Sequence, residues 1–152
     1  MKIALGSDHR GVEIVRALTE HLRHAGHETA VLGNSSGQPC DYPDNAYLVA
    51  RAVVGGAADL GILVCGSGIG MSMAANKVPG IRASICHDAY SARQGVEHDN
   101  MNVLCLGARV IGFELAVELV TAFLNAVFSG EERYRRRLKK VQDIEQRYLK
   151  GT

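Results

Sequence analysis

The sequence predicts an α/β fold, in which a five-stranded parallel sheet carries helices on both faces and one extra helix follows at the C-terminus. Short apolar runs alternate along the chain with segments whose apolar residues recur every three or four positions. Strands that alternate with helices form right-handed βαβ units, whose strands run parallel. The chain has 152 residues and a hydrophobic content of 47%, which suits one domain with a sizeable core.

The first predicted βαβ unit spans the start of the chain. Residues 2–7 form a strand, and residues 12–25 form a helix because their apolar positions share one face and Gly26 ends it. Residues 28–32 form the second strand, and a loop rich in Gly, Ser and Pro follows over residues 33–43.

A second helix begins after that loop. We expect Asp44 to cap it and the pair Gly55-Gly56 to end it. The third strand, residues 59–64, is nearly all apolar, which is typical of a strand covered on both faces.

The second half of the chain repeats this alternation and ends in two helices. In order, its predicted elements are a short helix at 69–77, a strand at 81–86, a helix to residue 97 that Asp88 caps, a strand at 102–106 and helices at 113–128 and 131–149. No internal repeat or linker interrupts the pattern. We therefore predict one domain over residues 1–152, with a doubly wound, Rossmann-like sheet.

The last predicted helix does not return to the sheet. The segment 131–152 holds eight Lys or Arg residues against four acidic ones. Its apolar stripe, at helical spacing, consists of Tyr134, Leu138, Val141, Ile144 and Tyr148. Such a helix can dock on a partner subunit or pack on its own domain, and the sequence leaves both open.

Composition excludes several classes of protein. The net charge is +1, Trp is absent and aromatic residues make up 5%, so we expect no nucleic-acid partner. No apolar run is long enough for a membrane helix, and the N-terminus does not resemble a signal peptide, so we expect no membrane association. The four cysteines lack metal-finger spacing, which leads us to expect reduced thiols and a cytoplasmic location.

Polar and reactive residues directly follow several predicted strands. Ligands of open parallel sheets bind beyond the carboxyl ends of the strands. Asp8-His9 follows the first strand, Tyr42 lies in the loop after the second, Cys65 follows the third and Arg109 comes after the fifth. This clustering favours a small-molecule site over a purely structural module.

Residues 65–70, with the sequence CGSGIG, form the most specific motif in the chain. Their glycines let the backbone approach a ligand and direct N–H groups at an anion near the start of a helix. Such a position stabilises the thiolate of Cys65, although Cys65 could also be a small core residue that ends a strand. A dinucleotide fingerprint would need Gly where Met71 stands, which weakens nucleotide binding as an interpretation.

Other candidate residues each allow two interpretations. Asp8 and His9 could act as acid and base, or could cap a helix and face solvent. His98 could be catalytic or could interact with the dipole at the end of its helix. Arg133 and Arg137, four residues apart, could bind a phosphate or form a solvated basic face.

These motifs together resemble the type B ribose-5-phosphate isomerases, a family that includes galactose-6-phosphate isomerase subunits. The resemblance covers nearly the whole chain, in the family's order. It is carried by residues 6–11, 41–43, 65–70, 75–77, 80–83, 98–104 and 107–109. It implies an aldose–ketose isomerase without metal or cofactor, which interconverts D-ribose 5-phosphate and D-ribulose 5-phosphate through an enediolate.

The resemblance also implies a role for each candidate residue. Cys65 moves the proton between the two carbons, and Ser67, where the family often has Thr, assists proton transfer between oxygens. His98, with Asp8, opens the sugar ring. The loop N–H groups, among them those of Gly66, Gly68 and Gly70, stabilise the enediolate. The implied substrate contacts are His9, Arg109, Arg133 and Arg137 at the phosphate and Tyr42 in the pocket wall. Two subunits build each site, as a homodimer or a dimer of dimers.

One position departs from the family pattern. After the ring-opening His the family often has Asn, whose amide can donate to the enediolate oxygen, whereas this chain has Asp99. A carboxylate would repel that oxygen, so Asp99 turns away, Asn100 takes its place, or the substrate differs. Two alternatives therefore stay open, namely the same chemistry on a tetrose or hexose phosphate and a non-catalytic phosphate- or nucleotide-binding module of Rossmann type.

Overall fold

The computed structural model describes residues 1–149, and residues 150–152 of the predicted domain lie outside the described part. The strands are β1 (Lys2–Ser7), β2 (Glu28–Val31), β3 (Leu60–Cys65), β4 (Ala83–Ile85) and β5 (Val103–Gly107). The helices are α1 (Val12–His24), α2 (Tyr42–Val54), α3 (Ile69–Ala75), α4 (Ala89–Asp99), α5 (Phe113–Asn125) and α6 (Glu132–Leu149).

All strand pairs are parallel, and the order across the sheet is β2-β1-β3-β5-β4. From β1 the chain goes to β2 on one side of the sheet and then crosses back past β1 to β3. It continues to β4 on the far side and returns to β5 between β3 and β4, so the winding direction reverses at the neighbouring strands β1 and β3. The register places Ser7 beside Val64 and Cys65 beside Gly107. The predicted doubly wound parallel sheet is confirmed, and the carboxyl ends of β1, β3 and β5 meet at one edge.

Helices cover both faces of this sheet. One buried cluster joins α1, α4 and α5 to the first face, and a second cluster joins α2 and α3 to the other. Leu104 belongs to the first cluster and Cys105 to the second, because successive side chains of a strand point to opposite faces. This double cover explains why the central strands are apolar at nearly every position.

Helix α2 begins earlier than the sequence predicts. Asp41 is its N-cap, and Pro43 lies in the first turn, where its missing N–H costs no helical hydrogen bond. The prediction that Asp44 caps this helix is wrong, because the N–H of Asp44 lies inside the first turn and donates to the Asp41 carbonyl. As a result Tyr42, expected in the loop, opens the helix at the carboxyl edge of the sheet.

Strand β4 is shorter than predicted. The N–H of Arg82 donates to the side-chain oxygen of Asn102 (2.8 Å), so the ladder with β5 begins only at Ala83. The predicted cap of α4 is confirmed, since Asp88 accepts a hydrogen bond from the N–H of Ser91 (2.7 Å).

Helix α6 contacts its own chain near its start and near its end. Tyr134 is buried near its start, and the carboxylate of Glu145 accepts the N–H of Gly80 (3.2 Å) near its end. Val141, Ile144 and Tyr148, on the predicted apolar stripe, are exposed. Packing on its own domain is thus observed for part of the stripe. Within residues 1–149 no helix is both long and apolar enough to cross a membrane.

Candidate active site

Cys65 lies at the carboxyl end of β3, where residues 66–68 turn towards α3. Its side chain is buried, and its Sγ accepts the N–H of Gly68 across 3.0 Å. Gly68 reaches this position with a φ of +84°, and a Cβ there would lie 3.2 Å from the backbone of Leu106. Glycine is required at this residue for its left-handed conformation and for its close packing.

The end of β5 holds the backbone of this loop. The N–H of Ala108 donates to the carbonyl of Cys65 (2.8 Å), and the N–H of Arg109 donates to that of Gly66 (3.0 Å). With the carbonyls of Cys65 and Gly66 bonded to residues after β5, the N–H groups of Gly68 and Ile69 are directed to the side of Cys65 Sγ and Ser67 Oγ, to which they donate. This arrangement suits an oxyanion or a phosphate.

Two cationic side chains and one aromatic ring lie over the loop. A Cβ on Gly66 would lie 3.3 Å from the Cδ of Arg10 and 3.8 Å from the Cδ of Arg109. A Cβ on Gly70 would lie 2.8 Å from the ring of Tyr42. The predicted residues Tyr42 and Arg109 are therefore brought to the loop, where guanidinium groups favour an anionic ligand.

Ser67 and Asp8 have hydrogen bonds within their own turns. Ser67 Oγ accepts the N–H of Ile69 (3.2 Å). Asp8 is buried, and its Oδ1 accepts the N–H groups of Arg10 (2.9 Å) and Gly11 (3.2 Å), just before α1 begins. Asp8 Oδ1 thus stabilises the turn before α1, but Asp8 is not the helix cap that the sequence allowed as an alternative, because the N-cap is Gly11 and has no side-chain hydrogen bond.

His9 follows Asp8 at the same edge. Its Nδ1 is buried and has no hydrogen-bond partner within residues 1–149. A buried polar atom without a partner is costly in a folded protein, which makes it a candidate for contact with a ligand.

His98 is held near the end of α4 by two neighbours. The side-chain amide of Gln94 donates to its Nδ1 (2.8 Å), and the ring of Tyr134 stacks on it with the centroids 4.1 Å apart. An amide N–H can only donate, so Nδ1 is the acceptor and Nε2 carries the proton of the neutral imidazole.

Both predicted arginines of α6 lie around the same aromatic ring. The guanidinium carbon of Arg133 is 4.6 Å from the Tyr134 centroid, and that of Arg137 is 5.8 Å from it. Arg133 also pairs with Glu131 (3.1 Å). Tyr134 therefore joins His98 and the two arginines into one group, in which two positive charges flank the imidazole.

Asp99 and Asn100 end α4 next to this group. Asn100 has a φ of +53°, a left-handed conformation that Asn tolerates better than most residues, and its carbonyl accepts Nε of Arg82 (2.6 Å). Asp99 is exposed and lines a cavity of about 530 Å³ together with Gln94 and Arg82.

The residues around the loop after β3, namely Cys65, Asp8, His9, Tyr42 and Arg109, are called here the Cys65 group. Within one chain the Cys65 group lies at the carboxyl edge of the sheet, where the strands end, and the His98 group lies at the amino edge, where the strands begin. α4 starts beyond the carboxyl end of β4 and runs back along the sheet, so His98 reaches the amino edge, where β5 begins at Val103. Cys65 lies beside Gly107, at the other end of β5. The stretch of β5 between Val103 and Gly107 is roughly 13 Å long. One chain therefore does not bring His98 within reach of Cys65.

Several residues of these groups were missed by sequence reasoning. Gln94 lies four residues before His98, a spacing that places both on one face of a helix and could have indicated the contact. Tyr134 was assigned only to an apolar stripe, and Arg10 was passed over although it follows His9. Within residues 1–149 no three His, Cys, Asp or Glu side chains are placed to hold a metal ion together.

Comparison with known proteins identifies the family. The sequence model described as Ribose/Galactose Isomerase matches residues 3–141. The chain belongs to this family. Within it, ribose-5-phosphate isomerase B of Escherichia coli (strain K12) is 45% identical over 146 residues, which cover 96% of this chain and 97% of the relative.

Two further members of the family are informative. D-erythrulose-4-phosphate isomerase of Pectobacterium atrosepticum is 44% identical over 131 residues, which cover 86% of each chain. The crystal structure of ribose-5-phosphate isomerase B from Mycoplasma genitalium with bound ribulose-5-phosphate superposes with a TM-score of 0.90. It is 39% identical and covers 95% of this chain and 96% of its own. The resemblance seen in the sequence is confirmed at the level of the family and the fold.

Proposed function

We propose that this chain is an aldose–ketose isomerase that interconverts D-ribose 5-phosphate and D-ribulose 5-phosphate through an enediolate. The observation that carries the proposal is the buried Cys65 thiol against the glycine loop, in a chain of the Ribose/Galactose Isomerase family. The Escherichia coli relative and the ribulose-5-phosphate complex of the Mycoplasma genitalium enzyme support this substrate. The proposed unit is one isomerase domain over residues 1–152.

Proton transfer between the carbons is assigned to Cys65. Its thiolate removes the proton from one carbon of the open-chain sugar and returns it to the neighbouring carbon. The N–H groups of residues 66–70, fixed by the end of β5, stabilise the negative oxygen that develops in between. Ser67, whose hydroxyl lies beside the loop, assists proton exchange between the two oxygens.

Ring opening is assigned to His98 together with Asp8. Because Gln94 occupies Nδ1, the neutral ring of His98 presents Nε2–H, which donates a hydrogen bond to the ring oxygen as the C–O bond breaks. The anomeric hydroxyl loses its proton in this step and the freed ring oxygen takes up one from solvent, so ring opening involves no net gain or loss of protons. Asp8 already holds two backbone N–H groups with Oδ1, and in this proposal it acts from the opposite side of the sugar.

The proposed phosphate contacts and subunit arrangement follow from the separation of the Cys65 group and the His98 group within one chain. His9 and Arg109 contact the phosphate from the Cys65 edge, and Arg133 and Arg137 contact it from the His98 group of a second chain. The roughly 13 Å between the two edges of one sheet supports such a shared site. We therefore propose a homodimer or a dimer of dimers, with no cofactor or metal in the reaction. The four cysteines are free thiols, which supports a cytoplasmic setting.

A subunit-mixing experiment tests both the chemistry and the sharing. Cys65→Ala and His98→Asn chains, each inactive alone, are unfolded together, refolded and assayed with ribose 5-phosphate. If the site is shared, half of the refolded dimers are hybrids, and each hybrid has one intact site out of two. About a quarter of wild-type activity should therefore return. No recovery would show that each chain builds its own site. An inactive wild-type enzyme that still binds the phosphate would favour the non-catalytic module.

A tetrose phosphate is the second candidate substrate. Asp99 stands where the family often has Asn, and the Pectobacterium atrosepticum relative is a D-erythrulose-4-phosphate isomerase at 44% identity. A coupled assay over four-, five- and six-carbon sugar phosphates ranks the candidates by kcat/KM, and a preference of more than about tenfold for a tetrose would replace the pentose.

A further inference from the structure

His87 completes the sheet where β4 stops. β4 ends at Ile85, whose partner on β5 is Cys105. Gly107 lies two residues further along β5, so its N–H points to the β4 side of the strand, as that of Cys105 does. This N–H donates to Nε2 of the His87 ring (2.9 Å). The imidazole thus takes the place of a backbone carbonyl on the missing part of the strand.

Gly107 in turn determines the position of residues 65–68, called here the Cys65 loop. A Cβ on Gly107 would be 2.8 Å from the carbonyl carbon and oxygen of Ser67, so the two backbones are in direct contact. The next two N–H groups along the chain, those of Ala108 and Arg109, donate to the carbonyls of Cys65 and Gly66. A displacement of Gly107 therefore moves the loop and Arg109 together.

We propose that His87 is a positioning residue for isomerisation, which acts through Gly107 to hold the Cys65 loop and Arg109 in their working arrangement. The inference rests on the proposed function. In this proposal His87 acts through its hydrogen bond to the Gly107 backbone and not by contact with the substrate.

The protonation state of His87 matters for this role, because only the neutral ring can accept the N–H of Gly107. Burial lowers the pKa of His87 and so favours the neutral ring. Asp88, the adjacent carboxylate, opposes this by favouring the protonated form. The lowered pKa shows that burial outweighs the neighbouring charge.

The test compares His87→Ala with His87→Gln. Ala leaves the Gly107 N–H without a partner, and kcat should fall about 10- to 100-fold, because a displacement of roughly 1 Å at a reacting group has effects of this size. The fall in kcat should exceed the rise in KM. Gln can place Oε1 near the position of Nε2, and it should keep kcat within about threefold of wild type although it cannot serve as an acid or base. His21→Ala, on the exposed side of α1, is the matched control.

Hydrogen exchange gives a readout that does not depend on activity. In His87→Ala the amides of Gly107 and of residues 65–68 should exchange faster, and in His87→Gln they should exchange as in wild type. Full activity of the Ala variant, or a Gln variant as impaired as Ala, would overturn the proposal. If wild type shows no isomerase activity, the proposed function fails. Unchanged exchange of residues 65–68 in the Ala variant would then still refute the hold of His87 on the loop.

Discussion

Replacement of Tyr134 tests whether its ring organises the His98 group. The ring stacks on His98 at 4.1 Å with an interplanar angle of 13°, and Arg133 lies 4.6 Å from its centroid. An aromatic stack contributes about 0.5–1.5 kcal/mol beyond burial. An exposed cation–π contact adds about 0.5–1 kcal/mol. Arg137, at 5.8 Å, is near the limit of that interaction and adds little.

The two contributions together amount to about 1–2.5 kcal/mol, which corresponds to a fall in kcat/KM of about 5- to 70-fold. Because more than half of the Arg133 side chain is exposed, water screens its contact, and we expect a loss of about tenfold for Tyr134→Leu. Tyr134→Phe keeps the ring and should stay within about twofold of wild type. Leu is apolar and fills most of the buried space, so both variants should fold.

Kinetics with ribose 5-phosphate provide the measurement. Steady-state kcat and KM of wild type, Tyr134→Phe and Tyr134→Leu are compared, and urea unfolding of each variant shows whether stability explains any loss. Equal kcat/KM for the Phe and Leu variants would refute the reasoning, because it would show that an aromatic face beside His98 has no effect on the reaction.

Three further predictions concern single residues. Cys65→Ala should abolish isomerisation but leave substrate binding nearly unchanged in calorimetry, and normal turnover would disprove its role as the base. Asp99→Asn should raise kcat/KM on ribose 5-phosphate if the carboxylate faces the enediolate, because the repulsion is then removed. It should lower kcat/KM on the best substrate of the screen if the carboxylate binds that substrate. A change of less than about twofold on both substrates would mean that Asp99 points away from the sugar. Burial lowers the pKa of His87 from its ordinary value of 6.5, so the unfolded chain takes up a proton that the native state excludes. The resulting contribution to the free energy of unfolding is present above about pH 6.5 and is lost as the pH falls through the native pKa. Between about pH 8 and about pH 5, urea unfolding should therefore show a larger loss of this free energy for wild type than for His87→Gln. Equal losses would contradict this prediction.

The strands and most helices could be predicted because burial on both faces leaves a local record in the sequence. Leu104 and Cys105 face different layers but are both apolar, so β5 is visible without any knowledge of its neighbours. The start of β4 leaves no such record, because the N–H of Arg82 donates to the side chain of Asn102, which is twenty positions away in the sequence. The start of α2 was missed because Asp41 and Asp44 are equally good caps, and only the tertiary structure chooses between them.

The candidate site was predictable on one edge and much less so on the other. Cys65 and Arg109 follow strands, and the rule that ligands bind at the carboxyl ends of a parallel sheet leads directly to them. The contact between His98 and Tyr134 joins two separate helices through side-chain packing, which no local pattern encodes. His87 could not be assigned a role from the sequence, because its partner is a backbone N–H, which leaves no sequence signature.

The division of the site residues between two edges also affects how such a chain can diverge. With one group taken from each chain in the proposed site, every chain contributes to two sites but completes neither. After a gene duplication, one copy can lose Cys65 and the other can lose His98, and a mixed pair still retains one intact site. Selection then acts on the pair, so enzymes built from two non-identical subunits are an expected evolutionary product of this geometry.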